Sequence, residues 1–251
     1  MPESAPWPYP RLAAHRGAGK LAPENTLASF RHGFAHGYRM IECDAKLSAD
    51  GVAFLLHDAT LERTTDGRGR ADALPWRELA RLDAGSWHSP AYAGEPLPTL
   101  AAVARWCRAN GVLLNIEIKP TPGREVETGA AIALDAKALW ADAADQPLLS
   151  SFSEDALAAA RKAVPGLPRA WLTEDLPVDW RERAARHGCI ALDVKHTLLD
   201  EGLVRAVHEG GLRLATWTVN DPARVATLHA WGVDTVITDE VETIHPGIAT
   251  A

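Results

Sequence analysis

Val112-Leu113-Leu114-Asn115-Ile116-Glu117-Ile118-Lys119 is the stretch that decides the architecture. In an extended chain successive side chains point to opposite faces, so Asn115, Glu117 and Lys119 share one face while Ile116 and Ile118 cover the other. A buried strand rarely carries three polar residues on one face without a function for them. The same alternation recurs in Glu42-Cys43-Asp44, where the two carboxylates point one way and Cys43 the other. Two carboxylates two positions apart on one strand face make a cation site.

Working outward, short apolar runs alternate with helical patterns, the signature of parallel strands joined by crossover helices. Strands are predicted at Leu12–His15, Met40–Lys46, Val112–Lys119, Pro147–Ser151, Arg169–Leu172, Ile190–Val194, Arg213–Trp217 and Thr235–Thr238. Helices are predicted at Asn25–His36, Glu154–Ala163, Asp200–Glu209 and Pro222–Trp231, with stops at Gly37, Gly111, Gly188, Gly210 and Gly232. Eight such units close as a (β/α)8 TIM barrel or lie open as a doubly wound sheet. The barrel is favoured because the polar residues fall at the ends of different strands, where barrels collect their sites. One stretch breaks the alternation. Residues 58–107 are too long and too rich in turn chemistry for one crossover, and are expected to form a small inserted subdomain over the barrel mouth. The whole is expected as a single domain over residues 10–246.

The chain has 251 residues, 47% hydrophobic and 24% charged, a normal size and composition for one barrel. A net charge of −7 argues against nucleic acid or an anionic membrane surface as the main partner, though not against a small anion held by local cations. Cys43, Cys107 and Cys189 are widely spaced without any C-x-x-C, so neither disulfides nor a zinc site is expected. No segment is apolar enough to span a bilayer, and the proline-rich start lacks the features of a signal peptide. A cytoplasmic location is the resulting expectation.

Glu42, Asp44 and Glu117 offer three carboxylates from two strands to one divalent cation, and oxygen-only ligands select Mg²⁺ or Ca²⁺. Their alternative reading is strand-end pairing with Lys46 and Lys119. His15 and His57, each at a strand end beside a charged partner, Arg16 or Asp58, are candidates for proton transfer. Arg16 and Lys119 suit phosphate oxygens. Asn25 is read as a helix N-cap that also faces an anion, Glu24 as a charge next to His15 and the metal, and Trp217 as a ring that stacks on a small polyol. Asp193, Lys195 and Asp239 give weaker signals of the same kind. Together these groups form the equipment for metal-assisted cleavage of a phosphate ester.

His15-Arg16-Gly17, Pro23-Glu24-Asn25-Thr26, Glu42-x-Asp44, His57-Asp58-x-Thr60-Leu61-x-Arg63-Thr64-Thr65, Asn115-Ile116-Glu117-Ile118-Lys119 and Trp217-Thr218-Val219-Asn220 resemble, in order and spacing, the glycerophosphodiester phosphodiesterases of cytosolic bacterial type. The resemblance implies a (β/α)8 barrel with a small insertion. It implies hydrolysis of glycerophosphodiesters such as glycerophosphocholine or glycerophosphoethanolamine to sn-glycerol 3-phosphate and an alcohol, with that small molecule as the expected partner and the oligomeric state left open. It also implies metal ligation by Glu42, Asp44 and Glu117, acid and base roles for His15 and His57, and substrate contacts from Arg16 and Lys119. Two positions depart from the pattern, Thr235 and His88, and are expected to bear on head-group fit. Rival readings are a lysophospholipase D or sphingomyelinase D type phosphodiesterase, which needs an apolar groove, a metal-dependent barrel aldolase or lyase, and a non-catalytic binding protein.

Overall fold

The computed structural model describes residues 7–141 and 143–246. Of the proline-rich start, 1–6 lie outside the described residues. Eight parallel strands close on themselves: β1 (Leu12–Ala14), β2 (Met40–Leu47), β4 (Leu113–Ile118), β5 (Leu148–Ser151), β6 (Arg169–Thr173), β7 (Ala191–Lys195), β8 (Arg213–Trp217) and β9 (Thr235–Thr238). Closure is direct, because β1 pairs in parallel with both β2 and β9. Seven helices follow strands around the outside: α1 (Leu27–Ala35), α3 (Leu100–Asn110), α4 (Glu125–Trp140), α5 (Glu154–Ala163), α6 (Trp180–His187), α7 (Glu201–Glu209) and α8 (Pro222–Trp231). The expected barrel is present, with every predicted strand within a residue or so of its observed bounds.

Burial explains why the strands read as they do. Outward-facing Cys43, Ile116, Leu149, Trp171, Leu192 and Leu214 pack under the helices in one large apolar core. Inside the barrel a second, smaller cluster of Ala13, Met40, Leu148, Ala170, Ala191 and Ile237 closes the N-terminal end. Above this plug the inward positions turn polar. A strand with a helix-covered face and a polar inner face therefore alternates although both faces are buried.

Three local readings need correction. The ninth strand, β3 (Ala53–Leu55), pairs antiparallel with β2 and was not predicted, although Asp50-Gly51 ahead of the apolar run 52–56 is a hairpin signal. Within the irregular stretch, Leu56, Leu61, Ala71, Leu79, Ala84 and Leu97 build a small core of their own around the short α2 (Trp76–Leu79). Residues 100–107, expected in that insertion, instead belong to α3. Thr99 caps it, and Leu100, Val103, Ala104 and Cys107 face the main core at helical spacing. Of the five helix stops, Gly37, Gly111, Gly188 and Gly232 take positive φ, but Gly210 does not, and the left-handed residue there is Gly211, φ +80°.

One close approach ties α1 to the site. A Cβ on Gly33 would sit 2.0 Å from the Gly17 carbonyl oxygen, and a Cβ on Gly17, φ +107°, would sit 2.3 Å from Ser29 Oγ. The helix thus lies directly against the loop after β1. Gly33→Ala is expected to lower the thermal midpoint, because the clash, typically 1–3 kcal/mol for overpacking, exceeds the gain of about 1 kcal/mol in helix propensity. A midpoint unchanged or raised in calorimetry would show that the loop yields freely.

Candidate active site

The groups singled out in the sequence converge at the C-terminal end of the barrel around a cavity of about 330 Å³, lined by His15, Arg16, Glu42, His57, Glu117, Lys119 and Trp217 among others. Parallel register brings this about. Asp44 on β2 lies opposite Glu117 on β4, and Glu42 opposite Asn115, so three carboxylates stack across two neighbouring strands. One oxygen from each of Glu42, Asp44 and Glu117 lies within 4.8 Å of the other two.

These carboxylates are almost out of reach of water, at 4%, 1% and 7% exposure. Burial first, and the charge of Asp44 second, push Glu42 up to about 8 and Glu117 up to about 7. Asp44 is buried too, but the Arg16 guanidinium and the Lys119 ammonium outweigh desolvation and hold it below the usual range. Lys119 Nζ lies 2.7 Å from Glu117 Oε1 and 3.6 Å from Asp44 Oδ1, and Arg16 Nε is 3.3 Å from Asp44 Oδ2. The pairing with Lys119 is therefore real, while Lys46 turns away. Its Nζ binds the backbone carbonyls of His57 and Asp58. Two cations do not saturate three carboxylates, and Asp44 Oδ1 has no hydrogen-bond donor. A set of hard oxygens, crowded, desolvated and short of positive charge, fits a divalent cation.

Each histidine is held by a carboxylate. His15 Nδ1 lies 2.6 Å from Asp239 Oδ1, beyond the end of β9, and His57 Nδ1 lies 2.7 Å from Asp58 Oδ1. Both rings are thereby fixed with Nε2 free of that bond. Burial lowers the affinity of His15 for a proton, but Asp239 and the nearby Glu42 reverse this and raise it. At His57 burial prevails, reinforced by Arg16 and Lys119, and the ring is pushed down.

Asn25 departs from its expected role. Thr26, not Asn25, is the cap of α1, accepting from the Ser29 N–H. Asn25 sits in the left-handed region, φ +58°, buried, where its Nδ2 donates to Asp44 Oδ2 at 2.8 Å and its Oδ1 accepts from the Asp44 N–H at 3.1 Å. Arg16 shares that strained conformation at φ +51°, and its own N–H donates to Glu42 Oε2. Such conformations cost on the order of 1–2 kcal/mol each and persist where surrounding contacts over-determine them. Glu24 is clasped by Arg16 Nη1 at 2.9 Å and by both terminal nitrogens of Arg63 at 2.8 Å. Arg63, from the inserted stretch, also binds Asp58. Trp217 packs edge-on against Phe152, centroids 5.4 Å apart, at the cavity wall.

The sequence offers Asp58 and Lys46 only as charged neighbours, Asp239 only as a weaker strand-end signal and Arg63 only within a motif, and it gives no signal at all for Phe152. Thr235 lies at the opposite end of the barrel, bonded to the Pro10 carbonyl and Trp7, so it has no bearing on a head group. His88 is at the mouth, its ring bonded to the Lys20 carbonyl in a side groove with Arg16 and Trp87.

The family model for the glycerophosphoryl diester phosphodiesterase family matches residues 15–243. YhdW of Bacillus subtilis is 33% identical over 233 residues, covering 91% of this chain and 93% of its own. A glycerophosphodiester phosphodiesterase of Caldanaerobacter subterraneus subsp. tengcongensis is 32% identical over 237 residues, 93% and 95% of the two chains. Among solved structures, a phosphodiesterase of Oleispira antarctica in complex with its product sn-glycerol-3-phosphate superposes with a TM-score of 0.90 at 36% identity, covering 94% of this chain and 95% of that one. The fold and the site define a barrel phosphodiesterase. The chain belongs to the glycerophosphoryl diester phosphodiesterase family and is an enzyme of that family.

The raised carboxylates make a pH prediction. A carboxylate whose folded pKa lies above its unfolded value costs stability once it must ionise, so metal-free protein loses stability as pH rises from about 4.5 through 7 to 8. A cation that binds the ionised triad offsets that loss. The gain in melting temperature on adding Mg²⁺ or Ca²⁺ should therefore be larger at pH 8 than at pH 5.5. An equal or smaller gain at pH 8 would remove these carboxylates as the ligands.

Proposed function

We propose that this protein hydrolyses glycerophosphodiesters such as glycerophosphocholine and glycerophosphoethanolamine to sn-glycerol 3-phosphate and an alcohol. The observation that carries the reading is one cavity lined by Glu42 and Glu117, with Asp44 close behind them, two carboxylate-held histidines and the Arg16–Lys119 pair. It is supported by 36% identity, over nearly the full length, to an enzyme seen with that product. The catalytic unit spans 10–246 with its insertion inside 58–107, and the enzyme is cytoplasmic. Among the described residues no helix is long and apolar enough to cross a membrane.

Glu42, Asp44 and Glu117 hold one divalent cation, Mg²⁺ or Ca²⁺, which when bound neutralises phosphate charge. Arg16 and Lys119, both beside Asp44, orient the non-bridging oxygens. His57, whose environment favours the neutral ring, takes a proton through Nε2 from the nucleophile, either water or the glycerol 2-hydroxyl, the latter giving a cyclic phosphate that water then opens to the monoester. His15, whose environment favours the protonated ring, gives one to the departing alcohol oxygen. Asp58 and Asp239 fix the two rings. Glu24 and Asn25 act one step back, Glu24 setting the Arg16 fork and Asn25 the Asp44 carboxylate, and Trp217 walls the substrate. Family membership leaves the lyase reading aside, and the rim of Glu24, Asp58 and Arg63 offers charge where an acyl chain needs an apolar run.

Release of sn-glycerol 3-phosphate from glycerophosphocholine should require added metal and stop with excess chelator. His15→Ala and His57→Ala should each lower turnover on the order of 10²–10⁴-fold on that substrate. With p-nitrophenol as leaving group, which departs without a proton, His15→Ala should recover most of its loss and His57→Ala none. Equal recovery in both variants would overturn the assignment of acid and base.

A further inference from the structure

Several groups that the reaction above does not use gather where α1 ends. His32 lies in the last turn of α1 and His36 at its C-cap, four positions on and therefore on the same face, with both rings half-buried. The ring centroids are 4.8 Å apart and the planes inclined by 36°. His36 Nδ1 lies 2.9 Å from the His32 carbonyl oxygen, which can only accept, so in the neutral ring the proton sits on Nδ1 and Nε2 carries a lone pair. Neither ring nitrogen of His32 has a hydrogen-bond partner among the described residues. Glu242, from the segment after β9, and His88, from the inserted stretch, stand close enough to act on His32 through their charge. The segment after β9 is held against this end of α1 by the Tyr38 hydroxyl, which donates to the Ile244 carbonyl.

We propose that His32 and His36 chelate one transition-metal cation of the Zn²⁺ class at a site separate from the catalytic carboxylates, with Glu242 balancing its charge. The inference goes beyond the proposed reaction and does not depend on it. Two histidines four apart on a helix present their rings to one ion, and two rings that share an ion at about 2.1 Å from each nitrogen have centres about 5 Å apart, as the observed spacing requires. A ligating imidazole commonly donates its other N–H to a carbonyl, the bond that His36 already makes. Burial first and His36 second push the His32 ring below its ordinary value, with Glu242 opposing and His88 adding to this, so the ring is an unprotonated ligand near neutral pH. The negative end of the helix dipole falls at the same place and favours a cation. Among the described residues the trio of acidic or imidazole ligand atoms within 4.8 Å is the catalytic one, so water completes the shell here. Imidazole nitrogens select Zn²⁺, Ni²⁺ or Cu²⁺, whereas the oxygen-only triad suits Mg²⁺ or Ca²⁺. The cysteine spacing argues against a thiolate site and leaves an imidazole site open. A cation at this corner fixes the end of the helix whose Gly33 packs on Gly17, and so adds stability and no chemistry.

The test keeps the carboxylate triad supplied with excess Mg²⁺ and titrates Zn²⁺ by calorimetry. The unaltered protein should take up one Zn²⁺ per chain at this site and melt higher with it. His32→Gln and His36→Gln should each weaken that uptake by about tenfold or more, because the second ring no longer binds at the high effective concentration that the helix sets. Both variants should melt with the parent when Zn²⁺ is absent, since half-buried surface rings contribute little packing. Cu²⁺ in place of Zn²⁺ gives a readout that needs no variant to fold, a paramagnetic resonance spectrum carrying the coupling of two imidazole nitrogens. Zn²⁺ uptake unchanged in either variant overturns the proposal, and so does a Cu²⁺ spectrum with oxygen ligands alone. An affinity weaker than about 1 mM in the unaltered protein overturns it too, as the mark of an adventitious ion only. Because none of these measurements reads turnover, failure of the proposed hydrolysis and failure of this site are separate results.

Discussion

Three carboxylates sharing a dry pocket are the constraint around which the rest of this molecule is arranged. Glu42, Asp44 and Glu117 lie within 4.8 Å of one another and hardly touch solvent, and charges so placed repel strongly where the dielectric is low. Arg16 and Lys119 offset part of that repulsion, chiefly at Asp44. The remainder is a standing demand for a cation. What makes the cluster costly to the folded chain is thus also what suits it to a metal ion, and the barrel can hold it because its hydrogen-bonded strands and helix-packed outer faces leave the inner positions little freedom to separate.

The supporting residues follow from that demand. Asn25 spends both ends of its amide on Asp44, and Arg16 reaches Asp44, Glu24 and, through its backbone, Glu42. Both occupy the left-handed region, which only glycine visits without steric cost. The loop after β1 stays there because α1 packs on Gly17 with no room to spare, and because the Arg16 carbonyl accepts from Ser29 Oγ and the Asn25 N–H. On the far side Arg63 bridges Asp58 and Glu24, so one inserted side chain ties the His57 loop to the Arg16 loop. Lys46 anchors the same loop from below. The two histidines are therefore set by parts of the chain that meet only in the closed barrel.

That arrangement explains what could be read from the chain and what could not. The strands were legible because each carries an apolar face toward the helices, so Ile116 and Ile118 beside Glu117 already imply a covered sheet. The metal and proton-transfer candidates were legible because strand alternation alone puts Glu42 with Asp44 and Glu117 with Lys119. Partnerships between distant segments were not. His15 with Asp239 spans 224 positions and depends on β1 and β9 being neighbours, a fact of closure that no local pattern carries. Asn25 was misread for a related reason. Its sequence context suits an N-cap, but Thr26 takes that place once Asp44 claims the amide. The end of the insertion was misplaced because the turn chemistry before Thr99 masks a helix whose apolar stripe reaches the main core.

The vertical order inside the barrel carries the argument one step further. The plug at the N-terminal end is apolar, while above it Asn115 lies in register beside Glu42 and Ser150 beside Glu117, so unpartnered polar groups and charged ones stand side by side on the inner wall. Ala or Leu at these positions would cost less, since an unpaired buried polar group lowers stability and an apolar residue of similar size does not. Proteins keep such local conflicts chiefly where function requires them.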